Sequence, residues 1–299
     1  MRWRMKALMQ ATFSNLPYGE KLNYVGQRYV LRNMPAPDDV LAKKLREARL
    51  HLDALTRHGT TPVDKACFYE FGAGRDLVIP LAFYSMGVNH QTVVDIRRMV
   101  RLDLVEDAAR RIGQMPGDLL RAADVVASAG DASAQFASLG VRYRAPSDAR
   151  ATGLESDSVD YVTSTSTLEH IPPDDIRATL RECRRLLRPD GLMSLAIDYQ
   201  DHYSYADPSI TIYNFLQFED SRWRLWSPSL QFQNRLRHVD YLKLLDEEGF
   251  EIVSDEPRAV GPDDLARLAS LPSVASRFRD YTSEQLAVPD ALIVVRPAK

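Results

Sequence analysis

Cysteine is nearly absent from this sequence. Cys67 and Cys183 are the only two in 299 residues. They are far apart and lack partners at metal-ligand spacing, so no disulfide framework is expected, and each reads as a small buried hydrophobe. Long apolar runs are also missing. None approaches the roughly 20 residues of a membrane span. Neither sign of charge dominates, since 38 Lys and Arg face 41 Asp and Glu for a net charge of -3. No Lys/Arg cluster is large enough for a nucleic-acid footprint. The six histidines include no H-x-x-x-H pair, and no metal site is expected. The basic start, Arg2-Trp3-Arg4-Met5-Lys6, precedes no apolar core region, so no secretory signal is expected. Repeats and low-complexity tracts are absent. What remains is 45% hydrophobic and 26% charged. Such a chain can bury a sizeable core as one elaborated domain or two, and a soluble cytoplasmic protein is the expectation.

The organising stretch is Glu70-Phe71-Gly72-Ala73-Gly74. An apolar run from Ala66 to Phe71 ends in two glycines, and a helix is expected over 75–86. Glycine lets backbone approach a ligand closely, because no Cβ intervenes. Free amides and the dipole at a helix start favour a polar or anionic group. The alternative is a plain strand-to-helix turn, and both stay open on this stretch alone.

Strands are expected at 66–71, 91–96, 141–146, 159–166, 192–198, 251–254 and 291–295. Helical spacing occupies 40–55, 100–112, 119–129 and 173–187, then 241–249 and 263–269. Asp38 or Asp39 is the expected cap of the first helix and Gly59 its stop. Arg188-Pro189-Asp190-Gly191 reads as a tight turn. Strand and helix alternate from 66 to 198, which implies parallel strands with helical crossovers. Ligands of such sheets bind at the carboxyl ends of the strands. Residues 1–60 read as a helical cap over the sheet or a lid over a ligand. Tyr24 and Tyr29 are its candidate lid aromatics. Residues 199–237 break the rhythm and are rich in Tyr, Phe and Trp, as in a lid, an interface or a substrate wall. Tyr199, Tyr203 and Tyr205 are its candidate substrate residues, with core packing as the alternative.

Acids stand at expected strand ends. Asp95 follows the second strand and Asp148 the third. A carboxylate after the second strand suits a ribose, because it accepts from two adjacent hydroxyls. A helix cap is the alternative for each. Dinucleotide folds usually show G-x-G-x-x-G/A. Here Leu77 replaces the third small residue, which argues against a nicotinamide enzyme.

These residues together resemble the class I S-adenosylmethionine-dependent methyltransferases. Glu70-Phe71-Gly72-Ala73-Gly74 resembles their E/D-x-G-x-G motif, and Asp95 the acid ending their second strand. Pro146-Ser147-Asp148-Ala149 and Ser158-Val159-Asp160 resemble the adenine-side acid and the fourth strand. Leu168-Glu169-His170-Ile171 is similar to their "LEHI" segment. Leu180 to Gly191 resembles their "ExxRvLkPGG" helix and turn, with Asp190 at a usual glycine. The resemblance covers roughly 66–198. It implies an α/β, Rossmann-like, doubly wound fold. That fold has a mostly parallel seven-stranded sheet with helices on both faces, a helical cap at 1–60 and a domain at 61–299 carrying a lid insertion at 199–237. It implies S-adenosyl-L-methionine as cofactor. Amides at Gly72, Ala73 and Gly74 would meet its carboxylate, and Glu70 its ammonium. Asp95 would hold the ribose, Ile96 would pack on the adenine, and Asp148 and Ala149 would meet the adenine edge. Thr165 and Ser166 would lie under the cofactor.

Methyl transfer from a sulfonium is an in-line displacement, and positioning supplies most of what is needed. A base is needed only if the nucleophile must lose a proton early. His202, four residues after the strand-ending Asp198, is the first candidate and His170 the second. A polar loop network is the alternative. Three functions stay open: a small-molecule methyltransferase, an enzyme that cyclises or eliminates the aminopropyl chain with release of methylthioadenosine, and a non-catalytic cofactor-binding protein. The expected partner is a small molecule, with no nucleic acid and no membrane. Homo-oligomerisation is left open.

Overall fold

The computed structural model describes residues 2–30, 34–115, 119–126 and 132–298. The apolar runs form strands that are covered on both faces, as parallel sheets require. β1 (Cys67–Phe71), β2 (His90–Val94), β3 (Val141–Arg144), β4 (Val159–Thr165) and β5 (Leu187–Asp198) pair in parallel. β7 (Asp290–Pro297) runs antiparallel between β5 and β6 (Phe250–Pro257). The seven-stranded order is β3-β2-β1-β4-β5-β7-β6. The chain runs outward from β1 to β3, then crosses back to β4. The order therefore reverses between β1 and β4, and the crevice above that junction is where such sheets bind ligands.

The N-terminal helices are α1 (Trp3–Ser14), α2 (Gly19–Val25) with a following π-turn (Gly26–Val30), and α3 (Asp38–His58). α4 (Val78–Ser85), α5 (Leu102–Ile112), α6 (Ala132–Ser138) and α7 (Pro173–Leu186) lie in the crossovers. α3 buries Ala48, Leu52 and Leu55 against Phe68, Phe83, Tyr161 and Leu192. It thus forms part of one sheet face. α7 and α9 (His238–Glu247) bury Leu180, Leu186, Tyr241 and Leu245 against the other face.

Several local expectations are corrected. α4 starts at Val78, because Gly74 to Asp76 form a turn and Leu77 has φ 49°. α3 begins at Asp38 after Pro37, and neither Asp38 nor Asp39 caps it through a side chain. Residues 119–126 form no helix, and 127–129 lie outside the described residues. Arg188 to Gly191 are part of β5, where the register shifts between Val159 and Tyr161. Such an irregularity absorbs the extra residues that a turn would otherwise take up.

The aromatic segment after β5 builds a second small core. Tyr203, Tyr213, Phe215, Phe218 and Trp223 pack with Trp3 of α1. Leu268 of α10 (Pro262–Ala269) and Leu286 of α11 (Ser283–Ala287) complete it. The amide of Trp3 donates to Asp207 at 2.8 Å, which pins α1 to this unit. Among the described residues no helix is long and apolar enough to cross a membrane.

Candidate active site

Two glycines with positive φ close the end of β1. Gly72 has φ +84° and Gly74 φ +75°. A Cβ on Gly72 would lie 2.3 Å from Thr167 Oγ1, whereas one on Gly74 would meet nothing within 4 Å. The first glycine therefore lets the β1 and β4 loops touch, and the second faces open space. Thr167 donates to the Thr165 carbonyl at 3.0 Å. It was missed as a site residue, because no local signal in the sequence shows that it meets Gly72.

Just below the turn, the Glu70 side chain is buried, and its Oε2 has no hydrogen-bond partner among the described residues. Burial, with Asp95 adding repulsion, raises its pKa to about 8. Asp95 is also buried at the end of β2, and burial raises it to about 7. The Tyr143 hydroxyl lies 3.4 Å from Asp95 Oδ2. Lys44 is the nearest tempering cation for Glu70, but its ammonium is held by Asp76 at 2.9 Å. A buried carboxyl oxygen beside a glycine turn is an acceptor that a hydrogen-bond donor would satisfy.

The neighbouring candidates differ in their surroundings. Ile96 is 63% exposed next to Asp95, an apolar surface open to a ring. The Asp148 carboxylate is taken by Arg150 at 2.7–3.1 Å, which holds its pKa below the usual range. Any adenine contact must share it with that guanidinium. Ala149 packs at the edge of the main core. Thr165 is a correction. Its hydroxyl turns to His51 Nε2 at 3.1 Å, towards α3, so it does not project into the crevice. Ser166 takes φ +46° and is anchored by its amide on the Ala196 carbonyl. Ala73 is buried against Leu77 and Leu81 in the β1–β2 core.

The two lid tyrosines separate. Tyr24 is buried among Arg28, Arg75 and Arg101, with Arg101 4.6 Å from its ring. Glu20 of α2 pairs with Arg75 at 3.3 Å. α2 thus rests on the residue that follows Gly74. Tyr29 is exposed.

The candidate bases converge beyond β4 and β5. Ring centroids of His170 and His202 are 4.8 Å apart, and His202 stacks on Tyr205. His202 Nε2 lies 3.7 Å from Asp198 Oδ2. Asp198 also accepts from the Tyr205 hydroxyl and faces Lys43 at 3.7 Å. Burial lowers the His202 imidazole well below its usual range. His170 Nδ1 lies 2.7 Å from the Phe232 carbonyl, which places its proton on Nδ1 and a lone pair on Nε2.

Glu169 was overlooked as a site residue. It is 3% exposed, and neither of its oxygens has a hydrogen-bond partner among the described residues. Its ligand atoms and those of His170 and His202 lie within 4.8 Å of one another. The sequence spacing excluded a metal site; this cluster, assembled across 32 residues of chain, is one that spacing cannot show.

Tyr199 and Tyr203 correct the expectation of substrate contact. Both are fully buried. The Tyr199 hydroxyl meets His238 Nδ1 at 3.1 Å, and that of Tyr203 donates to the Trp226 carbonyl. A phenol with a buried, satisfied hydroxyl is packing material. Tyr205 keeps an exposed face at the cluster. A cavity of about 900 Å³ lined by Gln91, Thr92, Phe136 and Tyr143 includes neither Glu70, Asp95 nor any residue of the β4–β5 cluster.

Residues 120–195 match the family model of the methyltransferase domain. The strand order, with its antiparallel β7, and the glycine turn agree with that match. That match spans about a quarter of the chain, and the sheet and its covering helices form the α/β, Rossmann-like methyltransferase fold. No curated protein matches the sequence. Solved structures show a likeness of fold alone. A Methanosarcina mazei SAM-dependent methyltransferase is 15% identical, with 82% of this chain and 97% of that one covered and a TM-score of 0.47. The CurJ carbon methyltransferase is 17% identical, covering 92% and 61%, at 0.48. The [4+2]-cyclase SpnF is 14% identical, covering 85% and 81%, at 0.49. Methyltransferases of this fold typically bind S-adenosylmethionine, and the unpaired Glu70 oxygen and the open side of Gly74 suit its amino-acid tail.

Proposed function

We propose that this chain is an S-adenosylmethionine-dependent methyltransferase that acts on a small-molecule acceptor held over the carboxyl ends of β4 and β5. The observation that carries the reading is the buried Glu70 carboxylate, unpaired at Oε2 beside Asp95 and directly below a glycine turn open at Gly74. S-adenosylmethionine, when bound, supplies an activated methyl carbon. Ala73 and Gly74 would meet its carboxylate through backbone amides, since the Gly72 amide is given to the Val94 carbonyl at 3.1 Å, and Glu70 would meet its ammonium. Asp95 would accept from the ribose hydroxyls, Ile96 would cover the adenine, and Asp148 and Ala149 would meet its edge. Ser166 would border the site from the β4 side.

On the acceptor side, His202 Nε2 is buried with no hydrogen-bond partner among the described residues, and it is the first choice for taking a proton from the nucleophile. Asp198 would stabilise the imidazolium so formed, and Tyr205 positions Asp198. His170 is the second choice. Residues 1–60 and 199–237 serve as covers, since α2 rests on Arg75 and α1 is pinned to the aromatic unit. A small acceptor fits a chain with no dominant charge sign.

The test is product analysis by mass spectrometry. S-adenosylhomocysteine and a methylated acceptor, formed only when candidate acceptors are added, support the reading. Methylthioadenosine from cofactor alone would replace it with intramolecular cyclisation or elimination. Absence of cofactor binding by calorimetry would remove both.

A further inference from the structure

We propose that Glu169, His170 and His202 hold a divalent first-row transition-metal cation, with zinc as the probe of the site. Two imidazoles and one carboxylate are a common donor set for such ions, and leave room for a water or an acceptor atom. Ligands at about 2.1 Å from a tetrahedral ion stand roughly 3.4 Å apart. The three ligand atoms already lie within 4.8 Å of one another, so side-chain adjustment alone brings them into range.

Independent observations point into the same spot. Glu169 is buried with both oxygens unpartnered, and His202 Nε2 is buried and unpartnered too, among the described residues. A buried carboxyl with neither oxygen partnered, beside a buried imidazole nitrogen that is also unpartnered, is costly unless a further group satisfies them. The Phe232 carbonyl fixes the His170 tautomer by accepting from Nδ1, which is the usual outer contact of a metal-binding imidazole. The same contact leaves Nε2 free for the ion. His170 is exposed and provides an entry path.

Glu169, Asp198, Glu47 and Asp290 all act on Lys43, the ammonium that faces Asp198. Lys6 is a second ammonium near His202. The bound ion would present an electrophile at the acceptor side of the crevice, suited to an acceptor oxygen. His170 and His202 would then be ligands, and their role as bases would lapse.

The experiment uses the full chain, stripped with EDTA and dialysed against Zn2+. Wild type should retain about one equivalent, and its melting temperature should rise on loading. Glu169→Gln and His202→Asn should each weaken zinc binding by more than the roughly 10- to 100-fold that loss of an outer contact costs. They should also lose the thermal shift, while circular dichroism shows them folded. His90→Ala, at an exposed histidine on β2, should behave as wild type. Substoichiometric zinc in wild type, or equal retention in all three variants, overturns the site. S-adenosylmethionine affinity, measured on the stripped and the loaded protein and on Glu70→Gln, reports on the methyltransferase reading separately. A metal result of either sign leaves that affinity unchanged.

Discussion

Replacing Gly72 with alanine tests the closure of the β1 and β4 loops. Two costs add. A Cβ at φ +84° is worth about 1–2 kcal/mol of backbone strain. That Cβ would also stand 2.3 Å from Thr167 Oγ1 and 2.4 Å from its Cγ2. Ordinary carbon contacts are about 3.5–4.0 Å, so Thr167 must retreat by more than 1 Å. Its hydroxyl is tied to the Thr165 carbonyl, which resists the move. Forcing a group into packed space costs about 1–3 kcal/mol. The expected loss for Gly72→Ala is therefore about 2–5 kcal/mol. Gly74→Ala shares the strain, at φ +75°, but meets nothing within 4 Å, so its loss should be about 1–2 kcal/mol. Urea unfolding of both variants at unchanged m-value measures the difference. Removing the obstacle with Thr167→Gly should recover the steric part of the Gly72→Ala loss in a double-mutant cycle. Equal losses at Gly72 and Gly74, or a cycle with no coupling, would refute the reasoning. Gly74→Ala carries a second expectation. Its new methyl enters the space assigned to the cofactor tail, so S-adenosylmethionine affinity should fall at least about tenfold, the equivalent of 1.4 kcal/mol.

Asp95→Ala should weaken S-adenosylmethionine binding by roughly 10- to 150-fold, and unchanged calorimetric affinity in the folded variant would exclude the ribose role. Glu70 is raised to about 8 in the folded state from an ordinary 4.5, so between those values the folded state binds the extra proton and stability falls as pH rises. Comparing wild type with Glu70→Gln isolates this slope from the opposite one of His51, whose buried imidazole drops to about 4 and loses stability as pH falls below 6.5; parallel pH profiles would count against it. Glu182 is held near 2, first by Arg185 and then by Thr152. Its contribution is present above about 4.5 and fades towards about 2, and Glu182→Ala should cost about 1–3 kcal/mol in urea unfolding at pH 7. Full turnover by His202→Ala on the true acceptor would remove it as base.

Much of the fold was legible because its signals are local. Apolar runs separated by crossover helices imply parallel pairing, and glycines at a strand end imply a turn with positive φ. Hence β1, β2, β4 and β5, the glycine turn and the acids near it could be placed by reading along the chain. Boundaries were less legible where a side chain overrides propensity: buried Leu77 takes φ 49° and delays α4 to Val78. Arg188 to Gly191 carry turn residues but are drawn into β5 by pairing with β4.

The sequence by itself determined the strand and helix alternation, the switch-point crevice it implies and the residues standing at strand ends. Only the tertiary structure decided what those residues face. Thr165 turned to His51, Asp148 was taken by Arg150, and Tyr199 and Tyr203 went into cores. Glu169 and His170, from the turn after β4, met His202 from the loop after β5. The physical reason is range. Periodicity and turn chemistry act over a few residues, whereas these contacts depend on which strand ends the crossovers bring side by side.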